Sequence, residues 1–493
     1  MNVNDDYKKR QIIPRWYPFN YAFHLGEIIP KNKPQVSIWT PRSYKLKEQE
    51  WLFCKKLPYA IDFVGTALVA NDYSNVNAVE ASKFILRNSK RVSVLSKQVA
   101  EKFLQIPDST PDFDLSNQKV YRKKISLLRK YVHAYPQNAI AWVDMAFYYA
   151  VLGYNDKANY CITVALNLAP ENRFVLRSAT RFYLHMKNPE KALFFLQNAE
   201  LTRYDSWLLA SEISVSKAFD LRTSNIKIAK NLLNKSNEPP KDLGELFGTI
   251  GTLEAMNGKN KIAKRLFKSA LIDPNENTVA QAEWISGSIG FNININRNIE
   301  AAFEANSRYF FKTKEYRTSL EATLKWLRYQ PFSSFPVQLA TYIAGVCLND
   351  FQEVLHIVKE DAPLLLDKDF VIKNNYIFSL ASLDKIEEAE EQFASINYIN
   401  LKEREKATYH ATKGLIKFRK GQIMEGRRLY SEAIERFEKL KSERGITLAK
   451  YYLTREEKRI GNDVKEMIDQ VIRLAKKLGL NELLQSETLV EKN

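Results

Sequence analysis

Between Asn138 and Tyr204 the chain carries one helical hairpin twice, 34 residues apart. Trp142, Met145, Ala146 and Tyr149 mark a first helix; Ala158, Ile162 and Ala165 mark a second, which Pro170 ends. The set returns as Leu176, Ala179, Thr180 and Tyr183, then Ala192, Leu196 and Ala199. Small residues at Ala158 and Ala165 let two helices approach closely, and Trp142, Tyr149 and Ile162 fill the space beside them. Gly153 and the pair Asn188–Pro189 sit where the chain must turn, and Pro170 cannot continue a helix. A lone hairpin of this kind cannot bury its apolar face, so copies must stack.

This pattern resembles the tetratricopeptide repeat, W-x2-L-G-x2-Y, then A-x3-F, then P, at a period of 34. Two further copies match well. One has Phe247, Ile250 and Gly251, a turn at Gly258, then Ala263, Phe267, Ala270 and Pro274; the other has Gly414, Gly421, Gly426, Tyr430 and Ala433. Ala389 and Phe393 fill the A-x3-F positions of a fainter copy. The stripe Tyr121, Ile125, Leu128 and Val132 makes an amphipathic helix of 117–132, ending at Pro136. Repeat-like segments run from Asn117 to Leu478, and more faintly back to Leu46. The resemblance implies an all-α fold, an α-solenoid in which helical hairpins stack into a right-handed superhelix. We expect an extended arm over 1–45, one array over 46–286, a Gly/Asn-rich break over 287–298 and a second array over 299–493 that ends in polar capping helices. The break leaves the alternation of first and second helices open.

The arm differs from the rest. Pro14, Pro18, Pro30, Pro34 and Pro41 exclude a continuous helix, and Trp16, Tyr17, Phe19, Tyr21, Phe23 and Trp39 lie between them. Such a density of aromatics does not stay in water. One reading is an extended arm packed along the first helices, with short strands at 24–29 and 35–39; another is a docking arm for a partner. Lys8, Lys9, Arg10 and Arg15 beside Trp16 and Tyr17 also suit base stacking with phosphate contacts.

The sequence bears no catalytic signature. It has no phosphate-binding G-x-x-x-x-G-K-[ST] loop, no G-x-G-x-x-G after a strand and no H-E-x-x-H. His24, His133, His185, His356 and His410 lie far apart and pair with no cysteine at metal spacing. We therefore expect a non-catalytic protein with no cofactor and no metal. Cys54, Cys161 and Cys347 have no paired spacing, which fits a reduced, cytoplasmic protein. No apolar window is long enough to span a membrane.

What remains is binding. By position in the repeat, Arg177, Arg181 and His185 line the concave groove at four-residue spacing, with Arg308 and Lys312 in the second array. Arginines so placed can hold carboxylates bidentately. Ile140, Val143 and Phe147 occupy the preceding repeat, so the family's Lys/Asn carboxylate clamp is not reproduced there. The formal charge of +17 adds a second reading. Lys119, Arg122, Lys123 and Lys130 share one helix face, and Lys261, Lys264, Arg265 and Lys268 another, as a basic track for nucleic acid or an acidic partner. The leading expectation is a scaffold or adaptor that binds an acidic or helical segment of another protein in the concave groove. The alternatives are an RNA-binding subunit of a nucleoprotein complex and a peptide-sensing regulator.

Overall fold

The computed structural model describes residues 10–18, 41–69, 75–88, 91–105, 118–223, 225–235, 240–289, 293–299, 301–486 and 488–489. The strands expected at 24–29 and 35–39 lie outside them. The described residues form 25 helices and no strand. None of these helices is long and apolar enough to cross a membrane.

Four helices come first: α1 (Pro41–Phe53), α2 (Leu57–Val69), α3 (Val76–Arg87) and α4 (Val94–Gln105). They close around Trp51, Phe63, Ala81, Ile85 and Phe103. The repeats follow. Helix α5 (Gln118–Ala134) leads into hairpins of an inner and an outer helix: α6 (Ala139–Val151) with α7 (Asn155–Leu168), α8 (Arg173–His185) with α9 (Pro189–Asn198), α10 (Ser206–Ala218) with α11 (Ile226–Lys235), and α12 (Pro240–Met256) with α13 (Asn260–Ala270). Helix α14 (Glu276–Ile289) packs on α12 as the next inner helix, and among the described residues the Gly/Asn-rich break, not an outer helix, follows it. The alternation resumes with α15 (Phe303–Thr313) and α16 (Tyr316–Tyr329), then α17 (Ser334–Tyr342) and α18 (Phe351–His356), each prolonged by a π-helical turn. Helices α19 (Phe370–Ser382) and α20 (Ile386–Ala394), α21 (Glu403–Arg419) and α22 (Ile423–Lys439), and α23 (Glu443–Arg459) and α24 (Lys465–Leu478) complete the series before the short α25 (Asn481–Leu484).

Local chemistry sets these boundaries. Asn138 and Asn172, 34 residues apart, cap α6 and α8 by accepting from the backbone N–H of Ala141 and Val175. Several inner helices then end on a left-handed residue: Gly153 and Gly258 where glycine supplies the positive φ, but Lys187, Lys314 and Asp384 elsewhere. The turn is the same in every case, with a backbone bond closing from Tyr154 to Tyr149, from Asn188 to Tyr183 and from Lys385 to Leu380. Ala158 and Ala192 are fully buried at the close contact of their hairpins.

The array folds back on itself. One hydrophobic core joins residues of 121–208 to residues of 316–430, across the expected boundary between two arrays. Phe332, in the turn after α16, is the rivet: its ring lies 5.6 Å from Phe147 on α6 and 5.5 Å from His185 on α8. Trp16 of the arm belongs to this same core.

Candidate functional site

The inner helices present two concave faces. The first, on α6, α8, α12, α14 and α15, is filled by the chain itself. Residues 10–18 run through it without helix or strand. Trp16, 1% exposed, sits edge-on to Phe147 at 5.3 Å and lies 5.4 Å from Phe332. Ile12 is fully buried over Gly248, where an added Cβ would stand 2.7 Å from the isoleucine Cδ1. Arg10 donates to Glu304 at 2.8 and 3.0 Å, to Asn277 at 3.1 Å and to the Gln281 side chain. Arg15 reaches Glu304 at 2.7 Å, and Tyr17 donates its hydroxyl to Glu276. Two inner-helix amides grip the arm's main chain: Gln281 Nε2 donates to the Arg10 carbonyl at 2.9 Å and Asn277 Nδ2 to that of Ile13 at 3.0 Å.

Burial alone would favour a protonated Glu304. The guanidiniums of Arg10, Arg308 and Arg15 outweigh it and hold the carboxyl well below the usual carboxylate range. Burial likewise opposes the charge on Arg15, and Glu304, Tyr17 and Glu276 more than restore it. Burial, reinforced by Glu276, pushes the Tyr17 phenol far up.

This filling revises the groove drawn from the sequence. Arg177 is not open to a partner: it holds Glu245 bidentately at 2.8 and 3.1 Å and stacks over Trp207, because α10 and α12 bring a buried carboxylate against it. Arg308 is buried and bonded to Glu304 one turn earlier. The Nε2 of His185 is buried without a partner among the described residues, and burial, with help from Arg181 and Lys368, pushes its pKa down to about 4. Arg181, unlike Arg177, makes no ion pair among the described residues; it lies over Phe332, and burial together with repulsion from Arg15 pushes it down to about 10. Lys312 is exposed at the end of α15. On the presumed basic track, Arg122, Lys123 and Lys130 of α5 and Lys261, Lys264, Arg265 and Lys268 of α13 are all exposed, while the Lys119 side chain lies outside the described residues.

The second concave face, on α17, α19, α21 and α23, is left unfilled by the described residues. It contains a cavity of about 70 Å³, walled mainly by Val346, Phe351, Phe378, Leu448 and Tyr452. Asn374 and Asn375, adjacent on α19, line it and are 5% and 7% exposed. Thr341 donates to the Val337 carbonyl and so accepts from Asn375 Nδ2 at 2.8 Å, which fixes that amide's orientation. Thr412 bonds Asn374 Oδ1, also at 2.8 Å. Asn374 Nδ2 and Asn375 Oδ1 are left without a partner among the described residues. The lining of the cavity therefore carries one donor and one acceptor with no protein partner among the described residues. Two consecutive amides in the apolar-rich sequence of this inner helix are the signal for the pair in the sequence.

No protein-family model matches the chain, and no curated protein does. Among solved structures it is similar to the crystal structure of the yeast Tom70, at 14% identity and a TM-score of 0.31, over 88% of this chain and 93% of that one.

Proposed function

We propose that the protein is a non-catalytic interaction scaffold that holds an extended segment of a partner protein on its C-terminal concave face. The observation that supports this most is the unpartnered donor–acceptor pair of Asn374 and Asn375 in the cavity. A peptide main chain offers the complementary carbonyl and N–H, and the apolar walls accept a side chain between them. The molecule already uses this chemistry once, where Gln281 and Asn277 hold the carbonyls of residues 10 and 13. The cavity walls carry hydroxyls, amides and apolar groups, with no carboxylate, imidazole or thiol, which favours binding over catalysis. All three cysteines are free, in keeping with a cytoplasmic setting.

A photo-crosslinking residue at Tyr452, in the full chain, tests the reading. Protein adducts should form in nuclease-treated extract and vanish in Asn374→Leu/Asn375→Leu with the helical circular dichroism unchanged. Adducts indifferent to the double variant would overturn the assignment. Nucleic-acid binding is the second reading, favoured by the exposure of Lys261, Lys264, Arg265 and Lys268 on one helix. It requires an affinity that falls with salt and a salt slope that shrinks when these residues become Ala.

A further inference from the structure

We propose that the N-terminal concave face is a peptide-binding site in its own right, occupied in cis by residues 10–18, and that its external ligand is a partner segment of the same chemistry. That chemistry is an arginine, an aliphatic side chain two residues on, and an Arg–Trp pair three residues further. Each feature has its receptor: the carboxylate of Glu304 for both guanidiniums, the bare backbone of Gly248 for Ile12, and the rings of Phe147, Phe182 and Phe332 for Trp16.

Three features separate this arm from an ordinary core element. It contributes no helix, and its side-chain bonds all go to residues more than 240 positions away, so the fold does not need it to be covalently attached at that point. It is held partly through its main-chain carbonyls, which any extended segment provides. Most tellingly, three of the four polar side chains that grip it have second partners inside the fold, Glu276 being the exception. Glu304 keeps Arg308 at 2.8 Å, Gln281 keeps Thr252 at 3.0 Å, and Asn277 keeps Glu245 at 3.3 Å. Glu304, Gln281 and Asn277 therefore each keep a partner when the site is vacated. The 22 residues 19–40 tether the arm to α1. Because that link is covalent, the cis segment competes with any external ligand as an intramolecular one.

The test uses the full chain and a fluorescent peptide spanning residues 10–18. By polarisation, Trp16→Ala protein should bind the peptide about tenfold or more tightly than wild type, whose own arm competes. A peptide with Trp16 replaced by Ala should bind neither. The Asn374→Leu/Asn375→Leu variant should bind as wild type does, so failure here and failure of the C-terminal assignment are told apart. Absence of saturable binding to a folded Trp16→Ala chain overturns the proposal. If Trp16→Ala loses its helical signal, Arg10→Ala/Arg15→Ala is the second host; if both unfold, the arm is a structural element and the proposal fails. A wild-type dimer that exchanges labelled arms would assign the site to a second copy and overturn the external-partner reading.

Discussion

The two concave faces are built from the same stacked inner helices, yet one behaves as interior and the other as surface. On the N-terminal face every grip is occupied: two carboxylates, two amides and an aromatic cage close on residues 10–18. On the C-terminal face, the amides of α19 are half satisfied and the cavity is left unfilled by the described residues. A solenoid leaves a concave surface by construction. Whether that surface becomes a core or a site depends on whether the chain brings its own occupant.

The largest effect should come from Glu304→Ala. It leaves Arg10, Arg15 and Arg308 facing one another in a buried place, and loss of a buried ion partner costs about 3–5 kcal/mol. Asn375→Ala, on the open face, removes one buried hydrogen bond worth about 1 kcal/mol. Urea melts of the two variants compare the faces directly, and equal losses would erase the distinction. Acid should act at the same place. The folded pKa of Glu304 lies well below its ordinary 4.5, so its contribution is complete above that value and is lost as pH falls below it. The Glu304 share of the acid loss should accordingly appear below about pH 4.5, and Glu304→Ala should remove that share.

Gly248→Ala should follow, at about 1–3 kcal/mol, since the new methyl meets Ile12 at 2.7 Å. The matching Ile12→Ala removes that clash. In a double-mutant cycle the pair should cost clearly less than the sum of the singles. Additive losses would mean that the arm does not lie over α12.

How much of this the sequence disclosed depended on the kind of signal. Helix pairing was legible because Ala158, Ala192, Ala263 and Ala389 stand at the close contacts and are all buried. Turns were legible at Gly153, Gly258 and Gly421, where glycine advertises a positive φ; Lys187, Asp220, Lys314 and Asp384 adopt the same conformation without advertising it. The aromatic arm was legible as something that must be covered, but its destination was not. The contacts of Arg10 and Trp16 join residues from opposite ends of the chain, and no local period reports them. The groove arginines were misjudged for that reason. Position in the repeat placed Arg177 and Arg308 on the concave side, but the carboxylates that neutralise them come from Glu245, two hairpins on, and from Glu304, which also serves the arm.

The junction between the halves should answer to pH more gently. His185 is neutral in the fold, its pKa held near 4 against an ordinary 6.5, chiefly by burial. A depressed base adds stability that is complete above 6.5 and is lost as pH falls from there toward 4. His185→Gln should remove the part of the acid slope in that window, at most about 3 kcal/mol. An unchanged slope between pH 6.5 and 4 would show that Phe332 does not bury this ring as drawn.

The smallest effect has the opposite sign. Arg181 faces the filled side with no ion pair among the described residues, and Arg15, held by Glu304, repels it. Its folded pKa lies below the ordinary value of 12.5, so the unfavourable charging is fully present at neutral pH and would be relieved only in strong alkali. Arg181→Met keeps the apolar stem over Phe332 and removes the charge. It forfeits a cation–π contact of about 0.5–2 kcal/mol and gains release from desolvation and from Arg15, so the net should be a stabilisation of about 1 kcal/mol, read as a higher Tm. The same exchange at Arg177 should destabilise, because there Glu245 would be left buried and unpaired. Two arginines one helical turn apart on α8 thus give opposite answers if the arm fills this face. Loss of stability at both would mean that Arg181 has a counterion and that the face is open to one.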